Sequence, residues 1–138
     1  MGVAGHPPQG SIVTVDYTQG FVVPEMCKVR LAVVLSPKIV NRPHLMTVVP
    51  LSTTEPERKM PYNQQIDIPF EMPKGWGNIP RWICGDMVNA VGFHRVDLLR
   101  LGKDRQGNRI YQIGVLPPDL FKIVRTCALH GMGFSTCR

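Results

Sequence analysis

With 138 residues, 43% of them hydrophobic, the chain has the size of one domain built on a single core. No run of about 18 apolar residues occurs, and Met1 to Gly10 has no basic start followed by an apolar stretch. A membrane span and a secretory leader are therefore not expected, and a cytoplasmic protein is. Sixteen Lys and Arg against ten Asp and Glu leave a net charge of +6, a surface that attracts polyanions without identifying one. Cys27, Cys84, Cys127 and Cys137 are scattered and form no Cys-x-x-Cys pair, so free thiols are expected, with no metal and no cofactor.

Residues 1–10 are read as a flexible start to a domain covering 1–138. Val13, Val15 and Tyr17 alternate with Thr14 and Asp16, the period of a half-buried strand. Gly20 to Lys28, containing Pro24, is irregular and reads as a loop. Leu31 to Leu35 is apolar at every position, which predicts a strand buried on both faces. Pro37 to Pro43 links it to a third strand, Leu45 to Leu51, expected to stop after Pro50.

Five prolines between Thr54 and Arg81, with Gly75 and Gly77, predict long loops around one short strand, Gln64 to Ile68. Trp82 to Phe93 reads as one or two strands kinked near Gly85 and Gly92. Asp104 to Asn108 reads as a turn and Arg109 to Ile113 as a returning strand. Pro117-Pro118-Asp119 opens a helix, since proline presets φ and the carboxylate meets the positive helix end. Leu120, Ile123, Val124, Cys127 and Ala128 supply its apolar stripe, and Gly131 ends it. Short strands followed by one helix predict a mainly β fold, a small antiparallel barrel or curled sheet with the helix packed on it.

The segment from Arg30 to Thr54 is the richest in chemistry. It places a fixed cation at the start of one strand and Ser52-Thr53-Thr54 at the end of the next. In order, the chain has a strand with Asp16, Lys28-Val29-Arg30 before an apolar strand ending Ser36-Pro37, and an Asn41-Arg42 link. A strand ending Val49-Pro50 with hydroxyls follows, then Gly85-Asp86, Arg95 and a last helix. This order resembles the PemK/MazF toxins of bacterial toxin-antitoxin modules over about nine tenths of the chain. The resemblance implies a dimeric, SH3-like β-barrel of the CcdB/PemK type with a C-terminal helix. It also implies an endoribonuclease that cuts single-stranded RNA without a metal and is silenced by an acidic antitoxin.

The site implied by the resemblance holds Arg30, Ser52, Thr53 and Asp86. A guanidinium is always charged, and its planar fork matches two phosphate oxygens, so Arg30 suits a pentacoordinate phosphorane. The alternative for Arg30 is a surface ion pair, for instance with Glu25. Ser52 takes the position of the family's threonine, with Thr53 beside it, and suits hydrogen bonding to phosphate; the alternative is a hydroxyl bonded within its own turn. Asp86 suits a base or substrate contact, or a turn cap. Two departures stand out: Cys84 where a branch of the family has arginine, and Leu31 where proline is usual.

Lys28, Arg42, His44, Arg81, Trp82 and Arg95 complete the set expected to hold RNA. Trp76 and Trp82 could stack bases, although burial is the commoner fate of a barrel tryptophan. His44 and His94 are candidates for acid and base work, with a bystander role as the alternative; His6 and His130 are left out of the site. Two other functions fit the resemblance: a CcdB-like toxin acting on a protein target, and a non-catalytic RNA-binding module.

Overall fold

The structure is a computed structural model and describes residues 2–134. Nine strands and one helix appear among them: β1 (Ile12–Asp16), β2 (Val29–Val34), β3 (Leu45–Ser52), β4 (Gln65–Ile66), β5 (Arg81–Ile83), β6 (Asn89–Gly92), β7 (Val96–Leu98), β8 (Arg100–Lys103), β9 (Arg109–Tyr111) and α1 (Pro118–Gly131). Seven strands form one antiparallel sheet in the order β4-β5-β3-β2-β1-β7, with β6 also on β3, while β8 and β9 pair as a separate hairpin. The molecule is thus mainly antiparallel β with one C-terminal helix, as expected.

The apolar run of β2 is explained by its position. Leu31 and Val33 face a core completed by Val124, Cys127 and Ala128 of α1, whereas Ala32 and Val34 face a second core with Val13, Val15, Tyr17 and Met46. Both faces of the strand are therefore dry, and alternation has no reason to appear. The helix begins at Pro118, carries Asp119 in its first turn and buries Val124, Cys127 and Ala128, matching the predicted stripe. Each such apolar side chain contributes about 1.5 to 3 kcal/mol for a residue of valine size.

Three expectations change. Pro50 does not stop β3, which runs on to Ser52. The missing N–H is tolerated because β3 changes partner here: Val48 is the last residue opposite β6, Leu51 the first opposite β5, and the Pro50 carbonyl accepts the Cys84 N–H at 3.0 Å. The strand expected at Gln64 to Ile68 contracts to Gln65–Ile66. Val96–Leu98 and Arg100–Lys103, unread as strands, find partners in β1 and β9. The opening segment is tied to the sheet through the Val3 N–H, which donates to the Val96 carbonyl at 2.8 Å.

At the far end of the fold, Gly85 and Gly131 meet. A 3-10 turn over Gly85–Met87 lies directly against the last turn of α1. A Cβ on Gly131 would strike the Gly85 carbonyl and the Asp86 nitrogen, and one on Gly85 would strike the Cys127 and Tyr62 carbonyls. The helix end and the turn touch backbone to backbone, which is how Asp86 is placed.

Candidate functional site

Arg30 stands near the start of β2, opposite Val15 of β1. The alternative, an ion pair with Glu25, does not form among the described residues: the Glu25 carboxylate accepts the Val22 N–H, and Arg30 Nε is buried without a hydrogen-bond partner. Arg30 shares a sheet face with Ala32 and Val34, as does the neighbouring Tyr17, which is fully buried with its hydroxyl also unpartnered. Cys84, which follows β5, lies within electrostatic reach of Asp86 in the next turn, of Arg30 on β2 and of Tyr17 just after β1.

Burial pushes the Cys84 thiol up to about 11, with the Asp86 carboxylate adding to the rise and the Arg30 guanidinium opposing it. Burial likewise raises the Tyr17 phenol, with Cys84 a smaller contributor. Neither group is a thiolate or phenolate at neutral pH. We expect Cys84 in the folded protein to be alkylated slowly at pH 8, where about one thiol in a thousand would be ionised, and about tenfold faster per pH unit up to the pKa. Mass-spectrometric tracking of the Cys84 peptide with and without urea checks this, and rapid labelling of the native state at pH 8 would contradict it.

Ser52, Trp82, Cys84 and Asp86 line one open cleft of about 390 Å³, together with residues from 54 to 63. Ser52 is opposite Trp82 in the β3–β5 register, which brings hydroxyl and indole to the same place. The Ser52 hydroxyl oxygen accepts the Thr54 N–H at 3.1 Å, the local turn that the sequence allows, and its own proton stays free to be donated. Thr53 is exposed, between the lining residues Ser52 and Thr54. The lining is not basic: it holds Glu55, Glu57 and Asp86 with one cation, Arg58. Lys59 lies over the Trp82 ring, 5.8 Å from its centre, and covers the buried indole.

The remaining expected RNA contacts are dispersed. Lys28 is exposed at the end of the β1–β2 loop, two residues before Arg30. Arg42 donates to the Thr47 hydroxyl at 3.0 Å, and His44 makes an edge-on ring contact with Phe93. Both sit at the Leu45 end of β3, and an eight-residue strand puts about 23 Å between that end and Ser52. Arg81 is 4% exposed, donates to the Trp76 and Gly77 carbonyls, and lies over the Trp76 ring, so it fastens the Pro-rich loop rather than reaching the Cys84 region. Arg95 donates to the Asp16 and Gln19 carbonyls.

Sequence reasoning overlooked Tyr17 as a site neighbour and residues 55 to 63 as the rim. An apolar strand position gives no sign that its hydroxyl is stranded, and the rim residues are brought to β5 only by the folding of a long loop. Among the described residues no three or more His, Cys, Asp or Glu side chains are grouped to hold a metal ion, and no helix is long and apolar enough to cross a membrane.

Comparisons with known proteins place this arrangement. The model of the PemK-like, MazF-like toxins of type II toxin-antitoxin systems matches residues 8–128. MazF from Deinococcus radiodurans shares the fold with a TM-score of 0.59 at 20% identity, covering 93% of this chain and 97% of that one. A mycobacterial endoribonuclease in complex with its cognate antitoxin gives 0.57 at 16% identity, covering 96% and 100%. The Mycobacterium tuberculosis toxin MazF-mt6 gives 0.54 at 14% identity, covering 89% and 97%. No curated protein sequence matches significantly. The chain belongs to the PemK-like, MazF-like toxins of type II toxin-antitoxin systems.

Proposed function

We propose that the protein is an endoribonuclease toxin that cuts single-stranded RNA, mRNA included, at selected sequences without a metal ion, by transphosphorylation. The observation that supports this reading is that Cys84, which lines one cleft with Ser52 and Asp86, also lies within electrostatic reach of Arg30. The 2′-oxygen attacks phosphorus as its proton passes to the Asp86 carboxylate. The Arg30 guanidinium neutralises the phosphorane, and the bond to the 5′-oxygen breaks as that oxygen takes a proton from solvent. Ser52, with Thr53 beside it, donates to a phosphate oxygen. Lys28, exposed two residues before Arg30, holds the strand on the Arg30 side.

Neutralisation by an acidic antitoxin segment, and action as a cytoplasmic homodimer, belong to the same reading. A mycobacterial endoribonuclease of this fold has been seen in complex with its cognate antitoxin. An acidic segment would be drawn by the net charge of +6. The test is incubation of the purified protein with a long, mixed-sequence RNA in excess chelator, followed by end-group analysis. We expect fragments with a 2′,3′-cyclic phosphate and a free 5′-hydroxyl. Intact RNA after incubation with a folded dimer would reject this reading in favour of a protein target or a non-catalytic binding module.

A further inference from the structure

Arg95 closes the 3-10 turn over Phe93–Arg95 that leads into β7. Val96 pairs with Val15 of β1, and Val15 pairs with Arg30 on its other side. Arg95 therefore leaves the sheet at the same end as Arg30, two strand spacings or about 10 Å away. That end carries the loop joining β1 to β2, which delivers Lys28 and Arg30 into β2.

The guanidinium is committed to this loop. Its Nη1 donates to the Gln19 carbonyl at 2.7 Å and to the Asp16 carbonyl at 3.2 Å, and its carbon lies 4.7 Å from the centre of the Phe21 ring. Phe21 in turn meets the ring of buried Tyr17 edge-on at 5.2 Å. Gly20, at φ 85°, lets the chain pass beside the guanidinium: a Cβ there would stand 3.4 Å from Arg95 Nη2. Among the described residues, Arg95 is the one side chain outside the loop and its flanking strands that hydrogen-bonds to it. A planar fork can span carbonyls and stack on a ring together, which lysine cannot reproduce.

We propose that Arg95 is a positioning residue that latches the β1–β2 loop, through Gln19 and Phe21, in the pose from which Lys28 and Arg30 meet RNA. The proposal rests on the ribonuclease reading for its consequence and on the contacts above for its geometry. Both Nη1 protons are spent on loop carbonyls, so this side of the guanidinium acts through the loop, and the salt dependence of KM separates that role from phosphate binding.

The experiment compares wild type with Arg95→Gln, Phe21→Leu and the double variant, using the RNA cleaved by wild type and amide exchange of the free proteins. In Arg95→Gln we expect KM to rise about tenfold, the lower end for one charge-assisted hydrogen bond, with a smaller fall in kcat because β2 itself still holds Arg30. The slope of log KM against log salt should stay as in wild type, while amides 18 to 25 exchange faster. Phe21→Leu should shift both readouts in the same direction, and the double variant should be no worse than Arg95→Gln, as two parts of one latch require. Phe21→Leu alone carries the test if Arg95→Gln does not fold. A salt slope reduced by about 0.7, the value for one phosphate on a single strand, with exchange unaltered would overturn the proposal and make Arg95 an RNA ligand. An unchanged KM would overturn it too. If wild type leaves RNA intact, the ribonuclease reading fails by itself, and unaltered exchange in Arg95→Gln would still reject the latch.

Discussion

Replacing Arg30 by alanine should lower RNA cleavage in chelator by about 10² to 10³, the loss typical of one preorganised charged donor at a developing anion, with the change mainly in kcat. The same substitution should leave thermal stability unchanged or slightly raised. This follows from the environment of the side chain, because Arg30 Nε is buried with no partner and the alternative partner Glu25 is bonded to Val22. A buried donor without an acceptor costs free energy in the resting protein, so removing it releases strain instead of creating it. Arg30→Lys should recover part of the rate, since it keeps the charge and loses the fork. The pairing of lost activity with retained stability is the discriminating result. A structural arginine would lose both, and wild-type cutting by Arg30→Ala would remove the residue from the mechanism.

In the proposed mechanism Asp86 is the base, and its charge and that of Arg30 act on Cys84 with opposite sign. Where a branch of the family places arginine, this chain has a thiol whose burial keeps it protonated, so the local positive charge rests on Arg30. The Tyr17 hydroxyl and Arg30 Nε, from side chains on one sheet face, are both buried without a partner. Unpaired buried donors of this kind are what a site kept ready for a ligand leaves in the free protein.

How much of this was legible in the sequence depended on distance along the chain. β1, β2 and α1 could be read because each carries its own signal: a period of two, an unbroken apolar run, and a stripe behind Pro118 and Asp119. β7 and β8 have no such signal, and Val96 becomes a strand residue only because Val15 is there to pair with it. Pro50 misled for the same reason, since its tolerance comes from an exchange of partner strands that no local rule contains. Arg30, Ser52 and Asp86 were legible as residue types in a familiar order. The burial of Arg81, the commitment of Arg95 to a loop and the acid rim depend on long-range folding and were not.

Gly131→Ala should be the most destabilising single-methyl change in the helix, and its sign is the opposite of the usual one. At an ordinary helix position, glycine to alanine stabilises by up to about 1 kcal/mol. Here the new methyl would overlap the Gly85 carbonyl and the Asp86 nitrogen, backbone atoms that no side-chain rotation can clear. Either the helix end retreats from Cys127 onward or the 3-10 turn is pushed away, and overpacking of this kind costs about 1 to 3 kcal/mol, occasionally more. For a chain of this size that is a fall in Tm of about 3 to 10 °C. Gly85→Ala should do the same from the other side, meeting the Cys127 and Tyr62 carbonyls. Because the two substitutions press on one contact, their costs should not add in the double variant. The fraction that folds should also cut RNA more slowly, since the displaced turn carries Cys84 and Asp86 away from Arg30. Calorimetry of the two single variants decides the point. A Tm raised by Gly131→Ala would mean that the helix end does not bear on the turn, and that Asp86 is placed by something else.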